Sequence, residues 1–163
     1  MPEPFSHTFY VGWAHLDSNG HMRNTAFLDL AVDVRMMYFQ NCGFSMRDFE
    51  RHHIGPVVKR DEIEYYREFR LLEPITITLT LAGLSQDASR FCLRNEYYKS
   101  DGKLAARLST TGGWLDLSAR RLTAPPPPIV EALRRLARSD DFAPFQTSEV
   151  SPVFGASEVC VRK

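Results

Sequence analysis

The sequence has 163 residues, 44% of them hydrophobic, enough for one domain with a single buried core. Its 20 Lys and Arg balance 20 Asp and Glu, so no overall field recruits nucleic acid or an anionic membrane, and an anionic ligand must be held by a local basic patch. Cys42, Cys92 and Cys160 are odd in number and lack CxxC spacing, which reads as reduced thiols rather than a disulfide framework.

The opening MPEPFSHTFYVGW lacks the basic region and apolar run of a signal peptide, and no window has the run of apolar residues that a membrane span needs. A soluble, cytoplasmic protein is the expectation. Residues 7 to 13, HTFYVGW, place Phe9, Val11 and Trp13 on one face at period two and predict a strand. The polar stretch DSNGHMRN, residues 17 to 24, follows at once. From Asn24 the period changes: Phe27, Leu30, Ala31, Val34 and Tyr38 recur at steps of three and four, predicting a helix that Gly43 ends. Its wide apolar stripe suggests a central helix covered on more than one side. Ser45 and Asp48 have capping-box spacing and predict a short second helix through Phe49.

Four strand-like segments come next: residues 56 to 69 with Ile63, Tyr65 and Phe69, then PITITLTL, RFCLRNEYYK and LAARLSTTGGWLDL. Ser85 to Ser89 and the pair Asp101-Gly102 supply hairpin turns, the second as a two-residue connection. These segments predict an antiparallel meander. Gly112 and Gly113 inside the last strand predict a bulge or the close approach of another backbone. The PPPP run at 125 to 128 ends the sheet, IVEALRRLAR at 129 to 138 reads as an amphipathic helix, and little periodicity follows from Ser139. One sheet with one long apolar helix against it is an α+β layer architecture. Its free edge strands invite dimerisation.

The chemistry concentrates in DSNGHMRN. Asn19-Gly20 is a common turn pair and Asn24 is a residue type that caps helices, so punctuation is one reading. A calcium loop fails, since its required glycine and glutamate positions counted from Asp17 hold Met22 and Leu28. His15, Asp17 and His21 offer three metal ligands, but no further cluster completes a shell. GxSxG and phosphate-cradling glycine motifs are absent. The remaining reading is an acid beside the start of a buried helix, whose unpaired N–H groups and positive dipole end can hold an oxyanion developing on a carbonyl. Asp17 would then attack that carbonyl or activate water.

The run VGWAHLDSNGHMRNTAFLDLAVDVRMMYF, followed by GFSMRDFERHHIGPVVKRDEIEYYREF and the hairpin strands, resembles the hotdog-fold acyl-CoA thioesterases of the 4-hydroxybenzoyl-CoA thioesterase type. The resemblance covers about residues 7 to 123, with the helix and tail of 124 to 163 completing a single expected domain. It implies an α+β hotdog fold, a long helix wrapped by an antiparallel sheet of about five strands, and homodimers or homotetramers paired edge to edge with active sites between subunits. It implies acyl-CoA as substrate, with no metal or redox cofactor. Asp17 becomes the catalytic carboxylate, as nucleophile or as general base for water. Gly20 lets the backbone come close, and the N–H groups near Asn24 and Thr25 polarise the thioester. The DxNxH spacing of Asp17, Asn19 and His21 is also similar to the acyl-carrier-protein thioesterases, which gives His21 a part.

For the rest of the substrate, Lys59, Arg60 and Arg90 are expected to meet the coenzyme phosphates, with Phe27, Leu28 and Tyr65 in the acyl pocket. The chain departs from the family in three places. Asn24 stands where some members have histidine, Glu68 stands where proline often follows the strand tyrosine by three, and Leu72-Glu73 replaces a usual Gly-Asp. Two rivals stay open. A hotdog enoyl-CoA hydratase carries DxNPxH, with its histidine one position later than His21 and a proline absent here. The other is a non-catalytic acyl-CoA-binding protein.

Overall fold

The computed structural model describes residues 2–145; Cys160 and the chain after 145 lie outside the described residues. The first strand, β1, spans Phe5–Tyr10, shorter at its end than the alternation predicts. Val11 is fully buried, but Gly12 then opens a single 3-10 turn, Trp13–His15. The Gly12 N–H donates to His15 Nδ1 at 3.0 Å. This turn swings Trp13 out to 80% exposure, so Trp13 does not share the inner face with Val11.

The long helix α1 spans Asn24–Asn41. It buries Phe27, Leu30, Ala31, Val34 and Tyr38, the predicted stripe, and Gly43 at φ 84° follows its end. Its N-cap is Arg23, not Asn24, and no side chain caps it. Among the described residues only one side of α1 is covered: Asp29, Val32 and Asp33 are exposed. Helix α2, Met46–Arg51, starts from the expected capping box. Asp48 Oδ2 accepts from both the Ser45 N–H and its hydroxyl at 2.7 Å.

The remaining elements are β2 (Ile54–Tyr65), β3 (Pro74–Leu84), β4 (Arg90–Tyr98), β5 (Leu104–Asp116), the two-residue β6 (Arg121–Leu122) and α3 (Pro127–Arg135). All neighbours in the sheet are antiparallel, in the order β1-β3-β4-β5-β2, with β6 also on β5. The meander therefore holds only for β3, β4 and β5. β2 crosses to the far side of β5, because α1 and α2 precede it and deliver the chain to that edge. β2 also ends at Tyr65, so Phe69 belongs to a loop although it is fully buried.

The turn between β4 and β5 is longer than two residues. Lys99 N–H donates to Lys103 O at 3.0 Å and Gly102 N–H to Lys99 O at 2.9 Å, with Gly102 at φ 79°. That is the three-residue loop ending in a left-handed glycine. α3 begins at Pro127, inside the proline run, since a first-turn residue needs no N–H and proline's fixed φ suits it. The two glycines of β5 answer to close backbone approach. A Cβ at Gly112 would lie 2.2 Å from the Val57 carbonyl oxygen, and one at Gly113 would lie 2.7 Å from that of Ser89. The register of β2 on β5 shifts between Val58 and Arg60 at the same place.

The core lies between α1 and the inner face of the sheet. Phe39, Phe49 and Phe91 surround Trp114 at ring-centroid distances of 5.6, 6.0 and 5.3 Å, and each such pair is worth about 0.5–1.5 kcal/mol beyond its buried area. Among the described residues one charged side chain is buried. Arg35 on α1 donates from Nε to Asn95 Oδ1 at 3.0 Å and from a terminal nitrogen to Thr110 Oγ1 at 2.6 Å, and the Thr110 hydroxyl donates on to Asp61 of β2. Beyond Leu79, where β1 stops pairing, the segment after α3 takes the edge of β3. Leu81 N–H donates to Ala137 O and Ser139 N–H to Leu81 O, at 2.8 and 2.9 Å.

Candidate active site

The stretch DSNGHMRN folds as a closed loop. Leu16 and Met22 form an antiparallel bridge, Asp17 N–H donates to His21 O at 2.8 Å, and Gly20 N–H donates to Asp17 O at 3.2 Å with Gly20 at φ 76°. The Asp17 side chain holds the loop from within. Its Oδ1 accepts the Asn19 N–H at 2.8 Å and the His21 N–H at 3.1 Å, an Asx-type turn. Its other oxygen has no hydrogen-bonding partner among the described residues. The turn is thus polar punctuation that also fixes one carboxylate oxygen and leaves the second available.

Two contacts tie this loop to its neighbours. On the helix side, Arg23 N–H donates to His15 O at 2.7 Å, and its guanidinium reaches Ala14 O and, at 2.8 Å, Thr25 Oγ1. Because Arg23 offers no capping acceptor, the Asn24 and Thr25 N–H groups have no hydrogen-bond acceptor among the described residues. On the other side, Met22 N–H donates to Phe69 O at 2.8 Å, and His21 pairs with Arg70 as a bridge. His21 Nε2 lies 3.1 Å from Glu68 Oε2, while Glu68 Oε1 is 2.9 Å from the Arg70 guanidinium.

Between loop, helix start and the end of β2 is a cleft of about 390 Å³, lined by Asp17, His21, Met22, Asn24, Phe27, Tyr65, Tyr66, Arg67 and Glu68. Five predicted residues therefore meet there: Asp17, His21, Asn24, Phe27 and Tyr65. Tyr65 packs edge-on to Phe27 at 5.2 Å, its hydroxyl makes a long 3.4 Å contact to Asn24 O, and partial burial raises its pKa. Asn19, Gly20 and Thr25 shape the turn and helix entrance without lining the cleft. The three expected phosphate contacts do not line it either. Lys59 and Arg60 sit at the β2 bulge, Arg60 paired with Glu62 at 3.2 Å, and Arg90 opens β4 opposite Gly113.

Met22, Tyr66, Arg67 and Glu68 were not anticipated. Only the departure at Glu68 marked that position in the sequence. Among the described residues no group of three or more His, Cys, Asp or Glu is arranged to hold a metal ion, and no helix is long and apolar enough to cross a membrane.

The thioesterase-like superfamily matches residues 11–133. The chain belongs to this superfamily. Its helix and antiparallel sheet form the hotdog fold shared with solved structures of acyl-CoA thioesterases. A hypothetical protein of Staphylococcus aureus solved in complex with CoA is similar at 22% identity and TM-score 0.74, over 85% of this chain and 89% of that one. A 1,4-dihydroxy-2-naphthoyl-CoA thioesterase of Synechocystis is similar at 19% identity and TM-score 0.73, over 81% and 96%. A DHNA-CoA thioesterase of Staphylococcus aureus is similar at 19% and 0.72, over 80% and 88%. At these identities the likeness is one of fold. No curated protein matches this thioesterase-like chain in sequence.

Proposed function

We infer that the protein is an acyl-CoA thioesterase with Asp17 as its catalytic carboxylate. The observation that carries this reading is the unpartnered Asp17 oxygen in one cleft with the uncapped start of α1. The named activities of similar structures and the CoA found in one of them support the substrate class.

In this reading the thioester carbonyl oxygen points at the Asn24 and Thr25 N–H groups, where the helix dipole favours the developing negative charge. Asp17 takes a proton from water, and the water oxygen attacks the carbonyl carbon. Collapse of the tetrahedral intermediate breaks the C–S bond, the thiolate leaves and takes up the proton held by Asp17, which restores the carboxylate, and the acyl group departs as the acid. Direct attack by Asp17, with an anhydride then hydrolysed by water, uses the same groups. His21, braced by Glu68 at Nε2, stands at the same cleft, and in its doubly protonated form it can donate from Nδ1 to the leaving sulfur.

The second copy expected from the family has a surface to use. The outer edge of β2 lacks a strand partner within the described chain, and Val58 and Tyr65 on β2 and Val32 on α1 are each about half exposed. We place the subunit contact there, as a homodimer that can pair again to a tetramer. The test of the function is free-thiol release from a panel of acyl-CoAs by the wild-type protein. Acyl-CoA binding seen by calorimetry without thiol from any substrate would make it a binding protein, and loss of enoyl absorbance without thiol would make it a hydratase.

A further inference from the structure

We propose that Phe27, locked between Tyr65 and Tyr97, is the acyl-length stop of the cleft, so that the site takes compact acyl groups, short aliphatic or single-ring aromatic, and excludes long alkyl chains. This rests on the thioesterase reading above and names its substrate class.

Phe27 lies three residues after Asn24, on the same helical face and one turn deeper than the N–H groups that would hold the carbonyl. It lines the cleft yet is only 3% exposed. Its ring meets three others edge-on or tilted: Tyr97 at 5.1 Å, Tyr65 at 5.2 Å and Phe69 at 6.2 Å. Tyr97 and Phe69 are fully buried. The Tyr97 hydroxyl donates to the Phe27 carbonyl at 2.6 Å, which fixes the wall to the helix backbone.

Behind this wall come Leu30, Ala31 and Val34, all packed in the core. An interior filled this way does not open for a chain without displacing interlocked rings. Within the walls of one subunit, a long alkyl chain anchored by its carbonyl at the helix start would have to turn back over Tyr66, Arg67 and Glu68, where charged groups take the place of an apolar channel. A compact group stops against the rings instead. An aromatic acyl group gains edge-to-face contact with Phe27 and Tyr65.

The experiment measures kcat/KM for thiol release from acetyl-, hexanoyl-, benzoyl-, decanoyl- and palmitoyl-CoA, with wild type, Phe27→Leu and Tyr65→Leu, each checked by thermal melting. Tyr65 is half exposed, so the second variant keeps the test open should the first fail to fold. Wild type should favour benzoyl- or hexanoyl- over palmitoyl-CoA by tenfold or more. Either folded variant should narrow that ratio at least tenfold by gaining on palmitoyl-CoA, with decanoyl-CoA gaining alongside, a change of profile that general destabilisation does not produce. Palmitoyl-CoA turned over as well as the compact substrates, or an unchanged profile in the folded variants, overturns the stop while leaving the thioesterase reading intact. No thiol from any substrate overturns both.

Discussion

Arg35→Met tests what the buried charge of α1 does for the fold. Methionine keeps most of the apolar stem and removes the guanidinium. The structure sets two opposing effects. Asn95 is fully buried and its Oδ1 would lose the Nε donor at 3.0 Å, and a buried acceptor left without a donor costs about 1–3 kcal/mol. The Thr110 hydroxyl keeps its bond to Asp61 and so leaves no orphaned donor. Against this, burial lowers the pKa of Arg35, the mark of a cation held at a desolvation cost, and removing it recovers part of that cost.

We expect the orphaned acceptor to dominate, with a net loss of about 1–3 kcal/mol and a fall in melting temperature of about 2–4 °C per kcal/mol for a chain of this size. Adding Asn95→Leu and Thr110→Val should return most of the loss, since polar partners replaced together by apolar groups are often neutral. Urea and thermal unfolding of the single and triple variants provide the measurement. A single variant as stable as wild type, or a triple variant less stable than the single, would refute this account of the network.

Glu68→Gln removes the charge that braces His21 while keeping its shape. His21 and Glu68 side chains are 30% and 50% exposed, so stability should change by no more than about 1 kcal/mol, while kcat for thiol release falls several-fold; an unchanged kcat would exclude a role for the pair. Asp141 is held at a pKa of about 2 by hydrogen bonds from Arg94 and Ser139. A lowered pKa gives stability that is present above the ordinary carboxylate value of about 4 and lost as pH falls toward 2. Asp141→Asn should therefore flatten the acid limb of a stability-against-pH curve between these values, by a small amount because the side chain is 62% exposed. An unaltered limb would show that Asp141 does not brace the segment along β3.

What could be read from the sequence was local. The stripe from Phe27 to Tyr38 gave α1, ITITLTL gave β3, Ser45 with Asp48 gave the start of α2, and two adjacent glycines marked where backbones crowd. Pairing between distant segments was not legible: β2 carries no residue that announces β5 rather than β3 as its neighbour. The same holds for the site. Asp17 and Asn24 stand close in sequence and were visible together, whereas Glu68 reaches His21 from an irregular loop whose course depends on Phe69 being buried. Lys59, Arg60 and Arg90 carry charge near turns, and neither property fixes whether a side chain lines the cleft.

The claim that most needs testing is that Asp17 performs the chemistry rather than only shaping the turn. Asn at 17 preserves the oxygen that accepts the Asn19 and His21 N–H groups and removes the carboxylate's basicity and nucleophilicity. The decisive measurement is the rate of free-thiol release by Asp17→Asn and by wild type on the best acyl-CoA of the panel. A loss of at least about a hundredfold in kcat with an unchanged melting temperature is expected if Asp17 is the catalytic carboxylate, and equal rates from the two proteins would show that it only shapes the turn.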